Sequence, residues 1–143
     1  DRCVVQEWVD FDFELRLFFF PPGDWASNRT VLKPKHYQYT SWSTKSTSWS
    51  PGSFTKPQRA ECLKQWENDE QALDSGHAQA EEAAQFLIGH LLTLSPEPVP
   101  CIRMDFMLKR TGPGQCQVAF GEYCENGCCS LQWDQGPPTV WRA

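Results

Sequence analysis

Residues 101–129 read CIRMDFMLKRTGPGQCQVAFGEYCENGCC, and the fold turns on whether this stretch is a hairpin. In its first half Ile102, Met104, Phe106 and Leu108 alternate with Arg103, Asp105, Met107 and Lys109, the period of two that turns successive side chains to opposite faces of a sheet. Asp105 therefore belongs to the polar face. Thr111-Gly112-Pro113-Gly114 supplies the turn, because glycine accepts positive φ and proline presets its own. On the return, Val118 and Phe120 are expected to share a face with Glu122, so that the core-facing register ends on a carboxylate. Burying an unpaired carboxylate is costly. Two acids on neighbouring strands with converging oxygens are the donors that a hard divalent cation such as magnesium takes. The other reading of the same residues is that Asp105 pairs with Arg103 or Lys109 across a solvated face and Glu122 closes a strand.

Working back from the hairpin, residues 77–94 carry Ala80, Ala83, Ala84, Leu87, Ile88, Leu91 and Leu94 at helical spacing, with Glu81, Glu82 and Gln85 on the other side. This helix is expected to pack on the sheet. A shorter helix is expected from Pro57, ending before Asp74-Ser75-Gly76. Residues 41–57, SWSTKSTSWSPGSFTKP, have no period and read as a loop, and Trp42, Trp49 and Phe54 give it the anchors of a lid over a site. Residues 31–40 are expected to form a short strand whose Lys33, Lys35 and His36 bring concentrated positive charge, suited either to an anion or to protecting a sheet edge. Residues 3–20 alternate most cleanly: Val9, Phe11, Phe13, Leu15, Leu17 and Phe19 point one way, and Asp10, Asp12, Glu14 and Arg16 the other.

The chain has 143 residues, 40% hydrophobic and 22% charged, which suits one globular domain. Its formal charge of -5 argues against a phosphate-backbone surface, so nucleic acid is not an expected partner. No apolar run approaches the roughly 20 residues that cross a bilayer, and no membrane partner is expected. Seven cysteines, an odd number at irregular spacing, favour reduced thiols and a cytoplasmic protein. The cluster Cys124, Cys128 and Cys129 lacks the paired spacing of a zinc site. Because the chain opens within a strand pattern and closes on Trp141-Arg142-Ala143, it is expected to be either a single domain over 1–143 or a subdomain of a longer chain.

The order of these parts is a strand with Glu14-x-Arg16, helices, a strand with Arg103-x-Asp105-Phe106, a glycine turn, and a strand ending Phe120-Gly121-Glu122. It resembles the C-terminal half of an ATP-grasp domain. The resemblance covers most of the chain on short motifs. It implies an α+β fold, with a mixed, mainly antiparallel sheet and helices on one face. It implies an ATP- and magnesium-dependent ligase-type activity, in which a small carboxylate becomes an acylphosphate and is attacked by an amine or another nucleophile. By the same resemblance Asp105 and Glu122 match the magnesium ligands, and Arg16 with Glu14 beside it matches the catalytic group. Arg16, Lys35 and Arg103 are then the nucleotide-binding cations. The common pattern has an asparagine two residues beyond the second acid, where this chain has Cys124; thiol suits magnesium poorly, which leaves Asn126 or Glu125 to complete the set. Most adenine and phosphate contacts of such domains belong to a preceding subdomain, so these residues alone are expected to need it for turnover. A different class of function is a non-catalytic module of the same fold, its acidic face of Asp10, Asp12 and Glu14 meeting a protein partner.

Overall fold

The computed structural model describes residues 7, 9–22, 31–42, 54–94 and 101–125. The strands are β1 (Phe13–Phe19), β2 (His36–Trp42), β3 (Phe54–Thr55), β4 (Ile102–Gly112) and β5 (Gln115–Glu125), and the helices are α1 (Arg59–Gln65) and α2 (Glu70–Leu94). The sheet order is β3-β2-β1-β4-β5, and each pairing is antiparallel. The fold class is thus α+β with an antiparallel sheet and both helices on one face.

The apolar alternation decides which face the helices take. Phe13, Leu15, Leu17 and Phe19 of β1 and Ile102, Met104, Phe106 and Leu108 of β4 are buried together with Cys62, Trp66, Ala72, Leu73, Ala80, Ala84 and Ile88 from the helical side. Trp66 lies against Phe13 with ring centroids 4.7 Å apart, and its indole N–H donates to Asp12 at 2.9 Å. Burying each large apolar side chain here stabilises the fold by roughly 1.5–3 kcal/mol.

Three expectations are corrected. The helix break falls at Glu67 and Asn68, whose φ values of 56° and 62° are left-handed, and not at Asp74-Ser75-Gly76. The Asn68 N–H bonds back to the Leu63 carbonyl at 2.7 Å, a helix-ending pattern. Asp69 then starts α2 by accepting the Ala72 N–H at 3.0 Å. Gly76 sits inside α2 because the helix touches the hairpin there: a Cβ would lie 2.8 Å from Cys116 Sγ and 3.0 Å from Leu108 Cδ2.

Second, residues 31–35 precede β2 instead of forming its first half. The Gln85 side chain takes up both backbone groups of Leu32, accepting its N–H at 2.9 Å and donating to its carbonyl at 2.5 Å, so the start of this segment is docked on α2.

Third, Glu122 does not share a face with Val118 and Phe120. Phe120 pairs with Phe106 and Glu122 with Asp105, so the register shifts at Gly121. One extra residue on one strand is a β-bulge, and it turns every side chain beyond it to the other face. A glycine suits that place, since a Cβ would stand 3.2 Å from the Asp105 carbonyl. Pro113-Gly114 closes the hairpin as expected, with Gly114 at φ 67°.

Much of the lid-like segment 41–57, namely 43–53, lies outside the described residues, although Ser41 and Trp42 pair with Thr55 and Phe54 at its base. Asn126, Cys3, Cys128 and Cys129 also lie outside them. Among the described residues no helix is long and apolar enough to cross a membrane.

Candidate functional site

The sheet face opposite the helices carries the charge. Arg16 on β1 stands in register with Asp105 on β4, and Asp105 with Glu122 on β5, so three adjacent strands bring these residues into one row. Glu14 and Arg103 flank that row on the same face, two residues along their strands.

Asp105 is 1% exposed and Arg103 3%. Arg103 grips Asp105 with both arms, Nε to Oδ1 at 2.8 Å and Nη2 to Oδ2 at 2.7 Å, and the same Nη2 donates to Glu122 Oε1 at 2.5 Å. Glu122 is the outward member of the set at 60% exposure. Arg16 Nε donates to Glu14 Oε1 at 2.6 Å and lies 3.6 Å from Asp105 Oδ2. Thr40 completes this side: its hydroxyl donates to Glu14 Oε1 at 2.9 Å.

Burial pushes the Asp105 carboxyl up to about 7, against the pull of Arg103 and Arg16 and with the push of Glu14. Among the described residues two guanidiniums, Arg16 and Arg103, meet three carboxylates, Glu14, Asp105 and Glu122. The Arg103 guanidinium already stands between Asp105 and Glu122 and donates to both. Among the described residues no group of three or more His, Cys, Asp and Glu side chains is arranged to hold a metal.

The structure therefore brings together Glu14, Arg16, Arg103, Asp105 and Glu122. It does not bring in Lys35, which is exposed just ahead of β2 and uses its backbone N–H to reach the Phe18 carbonyl at 2.8 Å. Asn126 lies outside the described residues. The pairing of Asp105 with Arg103 holds, but across a buried face, while Lys109 pairs with Asp10. Thr40 was missed. Its role depends on the β1–β2 register that sets Glu14 opposite it, and no motif within either strand carries that register.

Asp12 accepts the Trp66 indole N–H and the Arg110 backbone N–H, so the acidic row of Asp10, Asp12 and Glu14 is engaged internally along its length. No protein-family model, curated protein or solved structure matches this chain.

Proposed function

We propose that the charged row on the sheet face opposite α2 is the phosphate end of an ATP and magnesium site, in a ligase-type reaction that passes through an acylphosphate. One observation carries this reading: Arg16, Arg103, Asp105 and Glu122 come from three adjacent strands to one partly buried place. Magnesium bound there supplies charge neutralisation for the phosphates, with Asp105 and Glu122 as the ligands this chain offers.

The chain's own residues do the positioning. Thr40 fixes Glu14, and Glu14 fixes Arg16 through Nε, which orients the Arg16 guanidinium plane beside Asp105. An oriented guanidinium stabilises charge on a phosphoryl group in flight without reorganising, and such chemistry needs no protein nucleophile. The reacting partners are ATP and a small carboxylate or amine. A cytoplasmic setting accords with the unbridged buried thiols of Cys62 and Cys116. The reading of the acidic row as a docking face for a protein partner draws less support, because its carboxylates already hold Lys109, Trp66, Arg16 and Thr40.

Calorimetry of ATP binding with and without magnesium, on the full-length chain and on Asp105→Asn, tests the proposal. Magnesium is expected to tighten ATP binding at least about tenfold, a difference of about 1.4 kcal/mol, and Asp105→Asn to remove that gain. Equal binding with and without magnesium, unchanged in the variant, would remove the reading.

A further inference from the structure

On the helical side of the sheet, side chains from three elements meet around one hydroxyl. The Tyr39 hydroxyl of β2 bonds to Nε2 of His77 on α2, and its oxygen accepts from the Arg59 guanidinium of α1. Arg59 in turn donates from Nη2 to Asp74 at 2.6 Å. Tyr37, two residues before Tyr39 and on the same face of β2, stands edge-on to the His77 ring at 5.0 Å and to the Tyr39 ring at 5.6 Å. Among the described residues the Tyr39–His77 bond is the only hydrogen bond between β2 and α2. Thr40 faces the other way and holds Glu14, so β2 bears this contact on one face and a support of the charged row on the other.

The number of protons decides how the contact is made. A phenol has one hydrogen to donate. Burial keeps the Tyr39 phenol above its usual range against the pull of Arg59, so that hydrogen stays on the oxygen. Because Arg59 already donates to this oxygen, the hydroxyl donates to His77 Nε2. The imidazole is then neutral, with its own hydrogen on Nδ1. Burial, followed by the Arg59 charge, disfavours a second proton on the ring, against the pull of Glu81 and Asp74. Cys62, the other titratable group that α1 brings to Tyr39, stays a neutral thiol because burial pushes it up to about 12.

A second proton on His77 breaks this arrangement. Nε2 becomes a donor aimed at an oxygen that already accepts from Arg59, and the phenol hydrogen loses its acceptor in a buried place. The new positive charge also faces Arg59. His77 itself is half-buried, and Asp74 and Glu81, three residues before it and four after it, flank its way to solvent on the same side of α2.

We infer that Tyr39, His77 and Arg59 form an acid-opened latch between β2 and the helical layer, in which protonated His77 leaves the Tyr39 hydroxyl and turns to solvent beside Asp74 and Glu81. The latch lies on the sheet face opposite the charged row, and it does not depend on what that row binds.

The test is NMR of the full-length chain, followed from about pH 8 to about pH 5. At the upper end the His77 ring nitrogens are expected to show the Nδ1–H tautomer, with ring-to-ring NOEs to Tyr37 and Tyr39. On acidification His77 is expected to protonate with a midpoint below the ordinary 6.5, and those NOEs to vanish at the same midpoint. In Tyr39→Phe the midpoint is expected to rise, because the bond that favours the neutral ring is gone. In His77→Gln, whose side-chain oxygen still accepts from Tyr39, the acid transition of the Tyr39 ring signals is expected to disappear. That variant separates the latch from titration of Asp105, which reaches β2 through Glu14 and Thr40. A protonated His77 that keeps its NOEs to Tyr39 would overturn the inference. So would the Nε2–H tautomer at the upper end, or a Tyr39 transition that survives in His77→Gln. The wild-type NOEs decide the matter even where a variant does not fold.

Discussion

Strand β4 carries two arginines that each hold one aspartate and one glutamate, and the two sets behave in opposite ways. Near the hairpin turn, Arg110 donates from Nε to Asp69 at 2.9 Å and from Nη1 to Glu67 at 2.8 Å. Seven residues earlier Arg103 does the same to Asp105 and Glu122. Asp69 also accepts the backbone N–H groups of Gly114 and Ala72, at 2.9 and 3.0 Å. Those two bonds, followed by Arg110, hold its carboxyl below the usual carboxylate range. Asp105 is shut in more deeply, and burial carries its carboxyl the other way, up to about 7. The first set is a joint that ties the start of α2 to the β4–β5 turn, its acid fully satisfied as an anion. The second holds an acid that burial keeps near its titration point at neutral pH despite the two arginines beside it. Opposite shifts in two sets built from the same residue types follow from how each acid is enclosed and which donors meet it.

The largest expected effect that tests this contrast is on stability. Arg103→Ala strands Asp105 in its buried position, and loss of one partner of a buried pair costs about 3–5 kcal/mol. Combining Arg103→Met with Asp105→Leu should recover most of that loss in urea unfolding, since Glu122 is exposed to solvent and Arg16 keeps Glu14. If the single and double variants unfold alike, the pair is not the buried unit described.

A second effect is the dependence on pH. Asp105 has a folded value above its ordinary 3.8, so its contribution is complete below that value and is lost as pH rises through about 7. Asp69 has a depressed folded value, so its contribution is present above the ordinary range and disappears as acid takes pH through the folded value. Melting curves of wild type, Asp105→Asn and Asp69→Asn from acid to neutral pH should therefore show differences of opposite slope. Parallel slopes would erase the distinction between the sets.

A smaller effect concerns the seat of α2, on which only the Asp69 joint depends. Gly76→Ala places a Cβ 2.8 Å from Cys116 Sγ, and overpacking of this kind costs about 1–3 kcal/mol. Gly89→Ala meets nothing within 4 Å and should stabilise the helix by roughly 0.5–1 kcal/mol. Denaturant midpoints for the two variants should move in opposite directions.

The period-two runs of β1 and β4 and the turn at Pro113-Gly114 were legible because each is local: a strand and a turn are written in neighbouring residues. Asp105 was placed on the polar face for the same reason. Glu122 was assigned to the wrong face because a bulge is a property of two strands, and a lone glycine at 121 does not announce which pairing it interrupts. Gly76 misled in the other direction. Beside Asp74 and Ser75 it reads as a stop, yet its purpose is the contact with Cys116, some forty residues away in sequence. Conversely, Glu67 and Asn68 took the left-handed conformation that a glycine would have advertised. The row of charges was legible residue by residue, but its order across the sheet, with Thr40 behind Glu14 and Arg103 between two acids, exists only once the register is fixed.

The central claim is that the Asp105 set handles a cation and a phosphate while the Asp69 set does not. Carboxyl carbon NMR observes both in one sample of the full-length chain, before and after magnesium and ATP are added together. The account predicts that the Asp105 and Glu122 carboxyl signals move and that Asp69 stays in place. Unmoved signals at Asp105 and Glu122, or an equal movement of Asp69, would contradict it.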